Sequence, residues 1–193
     1  MITIEDLTWL IQSRRAYFHK MYSDEPVDAS LIDQILENAN WAPTHKRTEP
    51  WRFKIFHSLE SRQRLAEFLA LDYKANTSSE LFSETKMKDA SEKPVIAACT
   101  IAICMQRDPA LSLPEWEEVA AVACAVQNMW LSCTALGLGS YWATPGFIAR
   151  LGPFLELEEG AKCLGLFYIG QLKPGSQAPA TRKPISTKIS WMN

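Results

Sequence analysis

The chain has 193 residues, 47% of them hydrophobic, with 20 Lys plus Arg set against 22 Asp plus Glu for a formal net charge of −2. That length suits a single domain over residues 1–193 with a sizeable core. A near-neutral balance with interspersed signs argues against a general nucleic-acid or membrane-surface role. The five cysteines, Cys99, Cys104, Cys124, Cys133 and Cys163, contain no C-x-x-C pair, and all but Cys104 lie deep in apolar segments. Buried free thiols in a reducing compartment are therefore expected. The opening Met-Ile-Thr-Ile-Glu-Asp shows neither the basic nor the apolar region of a secretory signal, so a cytoplasmic protein is expected.

Thr3 caps a predicted helix to about Ser13, which ends in Arg14-Arg15-Ala16. Adjacent arginines at a helix end serve either as a solvated, dipole-complementing pair or as a phosphate clamp, since guanidinium groups fork onto phosphate oxygens. Asp28 caps a second helix, Ala29 to about Asn40. Trp41 to Trp51 holds two prolines and no periodicity, and so reads as a loop. It carries His45, whose spacing to His19 and His57 suits no metal site. Trp51 to Phe56 alternates as a strand does. A helix capped by Ser58 or Ser61 runs to about Lys74, and Asn76 to Glu92 reads as a polar, weakly helical excursion or a lid. Pro94 is expected to open a strand, Val95 to Cys104, buried on both faces.

Glu115 to Ala135 is the longest helical pattern. Pro114 and three glutamates suit its start, Gly137 or Gly139 its end, and its middle is apolar on nearly every face. It reads as a buried core helix; Gln127, Asn128, Ser132 and Thr134 exclude a membrane span. Gly139 to Pro145 is expected as a turn presenting Tyr141 and Trp142, which would either wall a flat ligand or pack in the core. A short helix over Gly146 to Leu151 and a buried strand over Cys163 to Gly170 follow. The tail, with Lys173 and Arg182-Lys183, has no apolar periodicity. Helices with four strands, unevenly alternated, give an α+β class.

Hydrolytic and phosphoryl-transfer signatures are missing from the sequence, as is a G-x-G-x-x-G following a strand. What remains is paired arginines, a Pro-bounded loop with Trp41 and His45, an aromatic segment at Trp142 and a basic tail. These offer phosphate binding and flat walls, which a flavin mononucleotide (FMN) needs. In this order, Ser13-Arg14-Arg15, Ala42-Pro43-Thr44-His45-Lys46 through Pro50-Trp51-x-Phe53, Gly137-Leu-Gly-Ser-Tyr-Trp142 and the Leu164-Gly-x-Phe-Tyr-Ile-Gly170 strand resemble the FMN-dependent nitroreductase family, in particular its short branch. The similarity covers nearly the whole chain.

The resemblance implies an α+β nitroreductase-like fold, with a central mixed antiparallel sheet surrounded by helices and a long buried core helix. It implies a homodimer with FMN at the subunit interface. It also implies NADH or NADPH as hydride donor and a small-molecule acceptor such as a nitroaromatic or quinone, with donor and acceptor taking turns in ping-pong kinetics. Carried over by position, Arg14, Arg15 and Ala16 would contact the flavin. Trp41 and His45 would approach it from the partner subunit, and Trp142, Ala143 and Thr144 would line the remaining side. Arg182 is a further phosphate candidate. The chain departs from the family pattern at Ala16, often Ser; at Phe18, often basic; at Glu49, usually Gln; and at Ala143, where relatives carry a longer side chain. A flavin carrier or sensor with little turnover, and a helical protein binding an acidic partner through Arg14-Arg15 and Lys46-Arg47, are the alternatives.

Overall fold

The computed structural model describes residues 1–192. Helix α1 (Ile4–Ser13) begins in a closed capping box: the Thr3 hydroxyl accepts from the Asp6 amide, and the Asp6 carboxylate accepts from the Thr3 amide. No residue of α1 is buried. Helix α2 (Ala29–Asn40), capped by Asp28, turns Ile32, Ile35 and Ala39 inward. Strand β1 (Trp51–Phe56) leads to α3 (Leu59–Asn76), capped by Ser58, and α4 (Glu84–Ile96), capped by Ser83. Strand β2 (Cys99–Gln106), helix α5 (Glu115–Ala135), and strands β3 (Leu138–Ala143) and β4 (Ala161–Gln171) follow.

The strands form one sheet in the order β1-β2-β4-β3, antiparallel at each pairing. Alternation along β2 and β4 sends Ile101, Ile103, Phe167 and Ile169 toward α2 and α5. It sends Ala102, Cys104, Leu166 and Tyr168 into a second core with Leu65 and Leu69 of α3. Burial on both faces explains why these two strands read as continuous apolar runs. This is the α+β architecture that was expected.

Several local expectations are corrected. Pro94 does not open a strand; it is buried in the last turn of α4, at the cost of one helical hydrogen bond, and the strand starts at Cys99. Val95 and Ile96 finish the helix instead, because an apolar run alone does not separate helix from strand. The polar stretch before Pro94 is no solvated excursion, since Glu84 onward forms α4 packed on α3. The aromatic segment after α5 is the extended strand β3, not a turn. Gly137, at φ +70°, provides the left-handed step after α5, whereas Gly139 lies in β3. A Cβ on Gly139 would come within 2.6 Å of Tyr22 and 2.5 Å of Leu172. The helix expected over Gly146 to Leu151 is a single 3-10 turn, Ile148–Arg150.

The burial of α5 is one-sided in the single chain. Ala121, Val122, Ala125, Val126, Met129 and Cys133 face the core, while Trp116, Ala120, Ala123, Cys124 and Gln127 are exposed. Cys124 is thus not the buried thiol expected; the other four cysteines are buried. Among the described residues, no helix is long and apolar enough to cross a membrane.

Candidate active site

The end of α1 delivers two cations to one cavity. Arg14 leaves the helix in an extended conformation at φ −61°, ψ 126°, and its guanidinium lies over the Trp130 ring, 4.5 Å from the centroid. Trp130 in turn donates its indole N–H to the Arg15 carbonyl at 2.9 Å, which fixes the backbone where Arg15 passes to Ala16. The tail returns here, so that Arg182 shares with Arg14, Arg15, Gln127 and Trp130 a cavity of about 720 Å³. No lining residue is acidic. Burial, then the charges of Arg182 and Arg15, push the Arg14 guanidinium below its ordinary value, although an arginine remains a cation at any relevant pH. Three positive groups lining one cavity without a carboxylate suit an anion, and planar guanidinium forks match phosphate oxygens.

From Arg15 the chain runs along the sheet edge. The Tyr17 amide donates to the Ser140 carbonyl of β3 at 3.1 Å, and Tyr22 bridges to Leu172. Ala16 packs at the margin of the second core, as does Ala143. Ala143 and Thr144 open onto a cavity of about 620 Å³ whose walls include Phe147, Tyr168, Tyr73 and the α4 residues Lys86, Asp89, Ala90 and Lys93. Sequence reasoning missed these α4 residues. The signal was present, because positions 86, 89, 90 and 93 recur at helical spacing and so share a face. Asp89 is a hub: Lys93 lies 2.7 Å away, the His19 ring 3.7 Å and Lys20 3.9 Å. The Lys93 hydrogen bond, outweighing burial, holds the Asp89 carboxyl below its usual value. His19 is buried, with Nδ1 3.3 Å from the Tyr141 hydroxyl; burial pushes its pKa down, more than Asp89 lifts it.

Trp142 lines neither cavity. Strand alternation turns it to the α2/α5 face, where it is half-buried against the first core. Its indole nitrogen, buried and unpartnered, sits 2.0 Å from where a Cβ on Gly165 would stand.

Trp41 and His45 lie elsewhere. Trp41 is 79% exposed and donates to Glu37, and His45 is exposed with Nδ1 2.7 Å from Glu117. Glu117 lies in the first turn of α5 and Trp130 thirteen residues on, roughly 20 Å along the axis at about 1.5 Å per residue. One chain therefore does not bring Trp41 and His45 to the arginine cavity. Their loop is sharply bent: Lys46, Arg47 and Glu49 have positive φ of 52°, 55° and 43°. The Thr44 hydroxyl, accepting from the Glu49 amide at 3.2 Å, braces it. Such conformations cost energy in residues that carry a side chain and persist only where the surrounding structure holds them.

Comparison with known proteins agrees with this geometry. The sequence model described as the nitroreductase family matches residues 11–171. The chain is 27% identical to YdjA of Escherichia coli over 147 residues, covering 74% of this chain and 77% of that protein. It is 27% identical to YfhC of Bacillus subtilis over 133 residues, 69% of this chain and 66% of that one. Both relatives are assigned as NAD(P)H nitroreductases by inference. A nitroreductase-like family protein from Bacillus cereus superposes with a TM-score of 0.79 at 26% identity, covering 100% and 98% of the two chains. A Desulfovibrio desulfuricans structure in complex with FMN gives 0.75 at 24% identity, over 99% of each chain, a likeness of fold. With its matched span, its antiparallel sheet and its arginine cavity, the chain belongs to the nitroreductase family.

Proposed function

We propose that the protein is an FMN-dependent oxidoreductase that takes a hydride equivalent from NADH or NADPH and delivers it to a nitroaromatic, quinone or related small acceptor. The observation that carries this reading is the cavity where Arg14, Arg15 and Arg182 converge with no acidic neighbour. It fits a phosphate dianion. The second cavity, with Tyr73, Phe147 and Tyr168 among its walls beside the charged face of α4 and with Ala143 and Thr144 at its mouth, suits a flat ring, and Ala16 packs at the margin of the same core as Ala143. FMN, when bound, supplies the capacity to accept a hydride from one substrate and pass electrons to another.

The chain's own residues bind and orient. Arg14 and Arg182 hold the phosphate. Arg15 is partly occupied by its own backbone, donating to the Arg14 carbonyl at 2.9 Å and to the Gln12 carbonyl. Lys86 and Lys93 place positive charge at the wall of the second cavity beside Asp89, where Lys86 would favour a ring that accepts electrons. In this reading donor and acceptor take turns over one flavin, which gives ping-pong kinetics. Trp142 supports the floor from the opposite face of β3, a reading nearer to a core residue than to a wall.

The active unit in this proposal is a homodimer. Residues 117 and 130 of α5 mark the His45 loop and the arginine cavity, and their midpoint falls at Ala123 and Cys124, both exposed. Two α5 helices crossing there about a two-fold axis would bring Trp41 and His45 of one copy toward the arginines of the other. The small side chains allow close approach, and the exposed Trp9, Trp116 and Ile11 need cover. Four buried free thiols support a reducing, cytoplasmic setting.

The test is an absorption spectrum of the purified protein with and without added FMN, followed by NADH and NADPH oxidation with a quinone. A flavin spectrum that survives gel filtration, with acceptor-dependent oxidation, supports the proposal. Protein that stays colourless after FMN addition overturns it.

A further inference from the structure

Away from both cavities, the sheet sets two thiols face to face. Cys104 of β2 and Cys163 of β4 are direct partners across the ladder, at a bulge that leaves Leu164 unpaired, and both side chains enter the same core. Opposed residues in an antiparallel pair have Cα atoms about 4.5–5.5 Å apart. A disulfide needs about 4.4–6.8 Å, so the bond can close without rebuilding the strands. We propose that Cys104 and Cys163 are a peroxide-responsive dithiol, in which Cys163 reacts first and Cys104 closes a cross-strand disulfide.

The two thiols are not equivalent. Cys163 is 9% exposed beside the exposed Lys162, whereas Cys104 is fully buried. The Cys104 thiol donates to the Ala102 carbonyl at 3.8 Å and the Cys163 thiol to the Gly165 carbonyl at 3.5 Å, and the interaction between the two sulfurs raises the Cys104 pKa and lowers that of Cys163. Cys163 is therefore the more easily ionised of the two and lies nearer solvent, and thiolate character with access decides which thiol oxidises. Burial pushes Cys99 and Cys133 up to about 12, which keeps them inert.

The chemistry balances with one hydrogen peroxide. Cys163 sulfur attacks a peroxide oxygen; the S–O bond forms, the O–O bond breaks, and the departing hydroxide takes a proton to leave as water. Cys104 then loses its proton and its sulfur attacks Cys163 sulfur. The S–S bond forms, the S–O bond breaks and a second water leaves. Two electrons pass from the sulfurs to the peroxide oxygens.

The experiment treats the full-length protein with hydrogen peroxide, blocks remaining thiols with N-ethylmaleimide under denaturing conditions, digests, and maps the products by mass spectrometry. The expected result is a linked peptide pair joining Cys104 to Cys163, short of two hydrogens and abolished by dithiothreitol, with Cys99 and Cys133 alkylated. Cys104→Ser should leave Cys163 as the sulfinic acid, and Cys163→Ser should leave Cys104 alkylated. The wild-type map needs no variant to fold. Absence of the linked pair while exposed Cys124 is oxidised, or Cys163 found as sulfinic acid in the wild type, would overturn the proposal.

Discussion

Arg14→Ala tests the arginine cavity most directly. The guanidinium it removes is held by the Trp130 ring, and the charges acting on it are the repulsive ones of Arg182 and Arg15. The cation–π contact contributes about 0.5–1 kcal/mol at an exposed site. Relief of repulsion offsets part of that, so the melting temperature of the cofactor-free protein should barely move. Cofactor affinity should move far more. A charge-assisted hydrogen bond to phosphate contributes about 1.5–3 kcal/mol, which is about 10- to 150-fold in Kd. Arg14→Lys keeps the charge but loses the planar fork, and should fall between the two. The assay is quenching of FMN fluorescence on titration with cofactor-free protein. Arg182→Ala should resemble Arg14→Ala, with Arg15→Ala weaker because that guanidinium already serves backbone carbonyls. An unchanged FMN Kd in Arg14→Ala and Arg182→Ala, with FMN still bound, would refute the reasoning.

His19 is buried and its pKa is pushed below the free value of 6.5, so the unfolded chain binds the extra proton more readily. Stability should therefore fall as pH drops through 6.5 toward the depressed folded value. His19→Asn should flatten that part of a melting-temperature profile, leaving the loss at still lower pH that comes from protonating Asp89; an unflattened profile counts against it. Gly165→Ala should destabilise the fold by about 1–3 kcal/mol or more in chemical denaturation, because φ is +151° and the added Cβ would meet the Ala143 carbonyl at 2.7 Å as well as the Trp142 indole. Trp142→Ala should not rescue it, since the carbonyl clash remains. Cys124 reports on the dimer: a thiol reagent should label it quickly only where subunits dissociate, so fast labelling at micromolar protein would speak against the interface.

The ends of the helices were legible because short polar side chains at Thr3, Asp28 and Ser58 close donors that would otherwise be unpaired, and that chemistry is local. Strand β4 was legible because burial on both faces excludes polar residues. Pro94 misled because a proline near a helix end and a proline opening a strand can each precede an apolar run. Tyr141 and Trp142 read as a turn since glycines bracket them, yet Gly139 is there for the close approach of Tyr22 and Leu172. Arg14 and Arg15 stood out as a pair, and Arg182 acquires its place only when the tail folds back beside Trp130. Lys86 and Asp89 were hidden in a polar helix, where charge is the ordinary surface composition.

The separation of the His45 loop from the arginine cavity within one chain bears on inheritance as well as catalysis. In the proposed dimer each site draws one half from each subunit, so damage is shared out unevenly when subunits mix. A subunit carrying Arg14→Ala and another carrying Trp41→Ala would each form a defective homodimer. Their mixed dimer would concentrate both lesions in one site and leave the other wholly native. With random assortment about half of the dimers are mixed, so about a quarter of the sites summed over the pool would be restored. Two silent alleles would complement each other, and a second copy of the gene could shelter variation in either half.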